Sequence, residues 1–262
     1  MNNELFEKLS TNKKYRDVCP DAIRRVIAEC EGRYKKAKDM DKAVREKLHG
    51  ITSAFVNEQE YKKALSLAGE WRQDEGIPPY SKETNLEELL SCHASTRERL
   101  PLAAMDTLYA RIFEVTGTPE TLLDLACGIN PVYFIAKYPS MQVTGADISG
   151  QSVNIITICG GRALHGDLLC EGAVPPERYD VALLFKILPL LDRQREGSAM
   201  AVLNAVNAKY IVVSFPTRTL GGRNVGMEEN YSRWMEGHMP ENREVAARFV
   251  TDNELFFILK EK

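Results

Sequence analysis

The sequence predicts an α/β protein in which a helical N-terminal region precedes an open, mostly parallel sheet whose last strand runs antiparallel. Up to about residue 115 the apolar residues recur at helical spacing and β-branched runs are absent. From Thr121 onward seven short apolar runs follow one another, and the first five are separated by segments long enough for crossovers. The last two, EVAARFV and ELFFILK, are separated only by Thr251, Asp252 and Asn253, which forces an antiparallel hairpin.

Taken in order, Leu5, Phe6 and Leu9 share one helix face, and Pro20 with Asp21 opens a second helix whose buried face carries Ile23, Val26 and Ile27. GIPPYSKET, Gly76 to Thr84, joins a diproline to polar residues and reads as a linker with a further helix after it. The strands follow as TLLDLAC, QVTGADI, RALHGDL, DVALLFK and YIVVSFP, then the hairpin. The expected division is a helical N-terminal region over residues 1–76, a linker with helices over 77–116, and the sheet domain over 117–262. There is no internal repeat and no low-complexity tract.

A formal net charge of −3 excludes a uniformly basic nucleic-acid binder. The first fifty residues nevertheless hold thirteen lysines and arginines against nine acids. On charge alone that excess is equally well a solvated helix face. Six cysteines without any CxxC pair, and an N-terminus without the apolar stretch of a signal peptide, point to reduced thiols in the cytoplasm. The longest apolar run, VALLFKILPLL, is interrupted by Lys186 and Pro189 and is too short for the roughly 20 residues of a bilayer span.

In an open α/β sheet the ligand lies beyond the carboxyl ends of the strands, near the point where strand order reverses. Three such ends carry an aspartate: Asp124, Asp147 and Asp167. Asp124 precedes Ala126, Cys127 and Gly128, where small residues let a ligand approach the backbone. Asp147, 23 positions later, suits a carboxylate accepting from ribose hydroxyls, and Asp167 is placed for an adenine edge. Gly128 is followed by Ile129 and Asn130, so the glycine-rich turn that a pyrophosphate requires is absent. An adenosyl cofactor without phosphate fits better, and S-adenosylmethionine (SAM) is the expected one, on a Rossmann-like sheet of the kind common among SAM-dependent methyltransferases.

Two further clusters flank the strands. In SCHASTRERL, Ser91 to Leu100, either Ser95 or Thr96 caps a helix with Glu98 completing a capping box, or His93 and an arginine meet the cofactor, the arginine on a carboxylate. Both readings stay open on the residues alone. SFPTRTLGGRNVGMEENYSRW, Ser214 to Trp234, combines glycines, Arg218, Arg223, Tyr231 and Trp234, as a loop over a substrate would, and equally as a surface turn. Arginine beside aromatics also suits contact with an extruded base.

CPDAIRRVI, LHGITSAF, LLSCHASTRERL, LLDLACGINP, LLFKILPLL and SFPTRTLGGRNVGMEENY together closely resemble the 16S ribosomal RNA methyltransferases that confer aminoglycoside resistance by modifying N7 of guanine 1405. The resemblance runs from Lys13 through the C-terminal hairpin. It implies SAM as cofactor, with S-adenosyl-L-homocysteine as product, and the 16S rRNA of the 30S subunit as partner. It implies no metal, no membrane and no obligate protein partner. The implied cofactor contacts are Phe55, His93, Ala94, Ser95, Arg99 (methionyl carboxylate), Ala126, Gly128, Asp147 (ribose), Asp167 and Leu168 (adenine), Phe185 and Gln194. Guanine N7 has no proton to lose, so no acid or base is expected, and Asn130, Lys186, Arg218 and Trp234 are expected on the target-base side. Lys13, Lys14, Arg24, Arg25, Lys47, Arg218 and Arg223 are expected to meet RNA. The alternatives are an enzyme acting on N1 of adenine 1408, a non-catalytic SAM-binding ribosome factor, and a small-molecule methyltransferase with a helical lid.

Overall fold

The computed structural model describes residues 2–52, 57–73, 83–217 and 226–262. Helices α1 (Asn2–Ser10), α2 (Pro20–Cys30) and α3 (Ala37–Thr52) form a unit with its own apolar centre, built from Leu9, Val26, Ile27, Val44 and Leu48. Pro20 opens α2, where a missing N–H leaves nothing unsatisfied, and Asp21 in the first turn complements the helix dipole. Ala22, Ile23, Val26, Ile27 and Cys30 then recur on one buried face.

Helices α4 (Glu58–Gln73), α5 (Glu83–Ser91), the single turn α6 (Ala94–Arg97) and α7 (Leu102–Thr116) lead into the sheet. α7 ends where Gly117 takes a left-handed φ of 73°. Ala64 and Ala68 of α4 are buried with the sheet's centre and not with the α1–α3 centre. The two apolar centres therefore divide after α3, one helix before the expected boundary at residue 76. The expected linker falls almost wholly outside the described residues.

The sheet alternates β1 (Thr121–Leu125), α8 (Pro131–Lys137), β2 (Gln142–Asp147), α9 (Gly150–Ile158), β3 (Arg162–His165), β4 (Tyr179–Phe185), α10 (Leu188–Gln194), α11 (Ser198–Ala205) and β5 (Ala208–Pro216), then α12 (Met227–Gly237) and the hairpin β6 (Arg243–Val250) and β7 (Glu254–Glu261). The strand order is β3-β2-β1-β4-β5-β7-β6, with β7 antiparallel to both β5 and β6. All seven expected strands form, and the last is reversed as the three-residue connection requires. Alternate residues serve opposite faces: Leu122, Val181 and Leu183 pack toward α7 and α8, while Leu123, Ala182 and Leu184 pack toward α10 and α11. The order reverses between β1 and β4, and the carboxyl ends of the parallel strands share one rim there with the start of β7. Among the described residues no helix is long and apolar enough to cross a membrane, and no cluster of potential metal ligands occurs.

Candidate active site

Among the described residues two non-glycine residues take left-handed backbone conformations, and both lie on that rim: Ala126 (φ 53°) after β1 and Lys186 (φ 56°) after β4. Such residues concentrate where surrounding structure holds a functional geometry. Gly128, with φ 55°, is closed in by the imidazole of His93, since a Cβ there would lie 2.3 Å from Cε1. The Gly128 N–H donates to Asp147 Oδ2 and the Ser149 N–H to Oδ1, each at 2.8 Å. Asp147 is thus aimed by two backbone donors, while burial pushes its pKa upward.

In the HAST segment neither Ser95 nor Thr96 supplies a helix cap. His93 is itself the N-cap of α6: its Nδ1 accepts from the Ser95 N–H at 3.3 Å and lies 2.8 Å from Ser95 Oγ. The ring is buried and held neutral, its pKa depressed to about 4 by desolvation and then by Arg99 and Arg97. Thr96 Oγ1 donates to the Leu90 and His93 carbonyls and caps no helix. Arg97 turns away to Glu60 and to the Ser91 carbonyl.

Arg99 is buried and ion-paired with Glu254 at the start of β7, with Nε 2.9 Å from Oε1 and Nη2 3.1 Å from Oε2. Its guanidinium lies 4.7 Å from the centroid of the Phe185 ring. Glu254 also accepts from Ser214 Oγ at 2.7 Å and lies 3.2 Å from Lys186 Nζ. Despite deep burial these cations hold its carboxyl below the usual range. Glu254 is absent from the residues the sequence singled out; its only local sign is an acid opening an otherwise apolar strand.

On the other side of the rim, Asp167 accepts from the Leu169 N–H at Oδ1 (3.0 Å) and from Arg25 Nε at Oδ2 (2.7 Å). Gln194, ending α10, accepts from Arg25 Nη2 at 3.1 Å. Leu168 packs partly buried on the α10 side of the sheet. Ala94 opens α6 beside His93. His93, Gly128 and Asp147 therefore meet directly, Arg99 and Phe185 form a second group, and Asp167 and Gln194 share Arg25. Phe55, Arg218 and Arg223 lie outside the described residues.

Two expectations are corrected. Asn130 does not face the rim: it is 2% exposed, its Oδ1 accepts from Tyr109 Oη at 2.6 Å and its Nδ2 donates to Asp124 Oδ2 at 2.7 Å. Both ends of the amide are used inside the protein, where it restrains Asp124. Arg25 is likewise no surface contact for RNA, because its side chain is 7% exposed and bound to Asp167 and Glu29. Of the other target-side residues, Lys186 is held by Glu98 and Glu254, and Trp234 stacks on His238 with centroids 4.3 Å apart. Lys13 and Lys47 remain exposed in pairs with Glu58 and Glu29, and Arg24 lies over the Phe6 ring. Lys14 sits near the Tyr15 ring.

The reversed last strand and the aspartates on successive strand ends define a Rossmann-like methyltransferase fold. Residues 11–257 match the model of the ribosomal RNA methyltransferase (FmrO) family, and the chain belongs to that family. It is 40% identical to a 16S rRNA (guanine(1405)-N(7))-methyltransferase of Serratia marcescens, over 98% of both chains. A protein of the same name from Proteus mirabilis is 32% identical over 98% of this chain and 96% of that one. The crystal structure of the 16S rRNA methyltransferase RmtF in complex with S-adenosyl-L-homocysteine superposes with a TM-score of 0.85 at 38% identity, covering 100% of this chain and 98% of that one.

Proposed function

We propose that the protein transfers the methyl group of SAM to N7 of guanine 1405 in the 16S rRNA of the 30S subunit, and thereby protects ribosomes from aminoglycosides in the cytoplasm. The observation that carries the reading is the junction of His93, Gly128 and Asp147, on a chain related over nearly its whole length to enzymes named for that reaction. A Cβ at Gly128 would run into the His93 ring packed beside it, and a neutral imidazole there suits a cationic sulfonium.

Asp147 would accept from the ribose hydroxyls, Asp167 and Leu168 would meet the adenine, and Arg99 would hold the methionyl carboxylate. When bound, SAM supplies a sulfonium methyl that the in-plane lone pair of guanine N7 takes up directly, so no proton is removed and no general base is needed. Catalysis then rests on positioning and exclusion of water, and well-aligned reactants can gain on the order of 7 to 11 kcal/mol. Glu254 fixes the Arg99 guanidinium against Phe185, so the cation is in place before the cofactor arrives. N7 lies on the major-groove edge, which a helix of A-form RNA buries, so the target nucleotide must be extruded.

The test is incubation with labelled SAM and 30S subunits, followed by chemical cleavage at 7-methylguanine. Cleavage at guanine 1405, with raised aminoglycoside tolerance in an expressing strain, supports the reading. Label at adenine 1408, or in no RNA at all, contradicts it. Arg99→Ala is expected to raise the KM for SAM at least tenfold with 30S binding little changed.

A further inference from the structure

We propose that Arg25 is a positioning residue that links the N-terminal helices to the adenine end of the cofactor pocket, so that binding of SAM and binding of the 30S subunit strengthen each other. The proposal rests on the reading of Asp167 and Gln194 as cofactor contacts. Arg25 belongs to α2, in the unit with its own apolar centre, yet its guanidinium is spent on the sheet: Nε on Asp167, Nη2 on Gln194, and only Nη1 on its own helix, to Glu29 at 2.8 Å. Glu29 in turn accepts from Lys47 Nζ at 3.0 Å, and Lys47 is 42% exposed on α3. A continuous chain of charged hydrogen bonds therefore runs from the surface expected to meet RNA to the carboxylate expected to meet adenine.

The backbone is fastened at the neighbouring loop as well. The Cys19 N–H donates to the Ile148 carbonyl at 2.8 Å, the Gly150 N–H to the Asp17 carbonyl at 2.6 Å, and Val18 bridges Ser149. Ser149 is the residue whose N–H aims Asp147. The segment entering α2 is thus tied to the ribose side, and Arg25 within α2 to the adenine side. A cofactor that needs Asp147 and Asp167 in these orientations favours the seated position of α1–α3. A ribosomal surface that engages α1–α3 in that position must then raise cofactor affinity by the same factor, because coupling between two binding sites is reciprocal.

The experiment measures S-adenosyl-L-homocysteine affinity by calorimetry, and 30S affinity with and without saturating S-adenosyl-L-homocysteine, in the wild type, Arg25→Met, Glu29→Gln and Asp147→Asn. In the wild type the ligand is expected to tighten 30S binding at least about fivefold, the lower end of typical coupling. Arg25→Met should weaken S-adenosyl-L-homocysteine about tenfold and abolish the tightening. Glu29→Gln leaves the Arg25–Asp167 pair in place, and should keep cofactor affinity within about twofold while reducing the coupling. If Arg25→Met does not fold, Arg25→Lys, which keeps the charge but not the three-way reach, is expected to behave in the same way. Wild-type cofactor affinity or undiminished coupling in the folded Arg25 variant overturns the proposal. Asp147→Asn separates the two failures: if it weakens S-adenosyl-L-homocysteine while the Arg25 variant does not, only the coupling is wrong. If neither does, the reading of the site falls with it.

Discussion

Asp124 lies in β1 with its carboxylate buried against Asn130, and desolvation raises its pKa from 3.8 to about 7. The folded protein therefore holds a proton there between about pH 4 and 7 that the unfolded chain has released, so stability falls as pH rises through that window. Asp124→Asn keeps an acceptor for the Asn130 amide and removes the ionisation. Urea unfolding at pH 4, 5.5 and 8 should show the variant gaining on the wild type as pH rises, by on the order of 2–4 kcal/mol in total. A constant difference across the range would refute the assignment. His93 has the opposite sign: with its pKa depressed to about 4, its contribution is complete above pH 6.5 and lost as pH falls toward 4. The two residues make opposing slopes in overlapping windows, so only the variant comparison isolates either.

Where β1 turns into α8, the chain meets the N-terminus of α6 at a distance that admits no side chain. Gly128→Ala would place its methyl group 2.3 Å from His93 Cε1 and 2.7 Å from both ring nitrogens, on a backbone already at φ 55°. Displacing a buried ring that caps α6 should destabilise the fold by about 1–3 kcal/mol and weaken S-adenosyl-L-homocysteine at least tenfold. Thermal unfolding of Gly128→Ala with His93→Ala checks the cause: if the clash is responsible, the double variant loses less than the sum of the singles. Additive losses would point to backbone strain alone. The same element-level contact explains why Ser95 and Thr96 do not cap as the capping-box pattern suggests: the imidazole occupies that role and Ser95 supports the ring.

Across the whole molecule the net charge is negative, and the basic excess is confined to helices tied to one side of the sheet. Lys13 and Lys14 are exposed near the end of α1, and Lys13 pairs with Glu58 of α4 at 2.7 Å. Exposed pairs of this kind contribute little to stability, so the lysines are available to exchange their partners for phosphate. Lys13→Gln with Lys14→Gln should leave thermal stability and S-adenosyl-L-homocysteine affinity unchanged and weaken 30S binding. The slope of log affinity against log salt should fall by about 1 for each lost phosphate contact. An unchanged slope would exclude these lysines from the docking surface.

The fold class was written locally. Short apolar runs specify strands, the three-residue connection before Glu254 permits only a hairpin, and Pro20 with Asp21 marks a helix start; each is a constraint between near neighbours that any reading of the chain meets. The placement of Asp147 at a strand end and of Gly128 in the turn after one was legible for the same reason, since strand ends and glycine turns are local features. What only the tertiary structure decided are the partnerships. Arg99 meets Glu254 across 155 positions, Arg25 meets Asp167 across 142, and Asn130 turns inward to Asp124 and Tyr109. A buried charge must find its counter-charge or carry an unmet desolvation penalty, but nothing periodic says where along the chain the partner lies. The division of the helices follows the same logic, because Ala64 and Ala68 look like any helical face until the sheet supplies the surface that buries them.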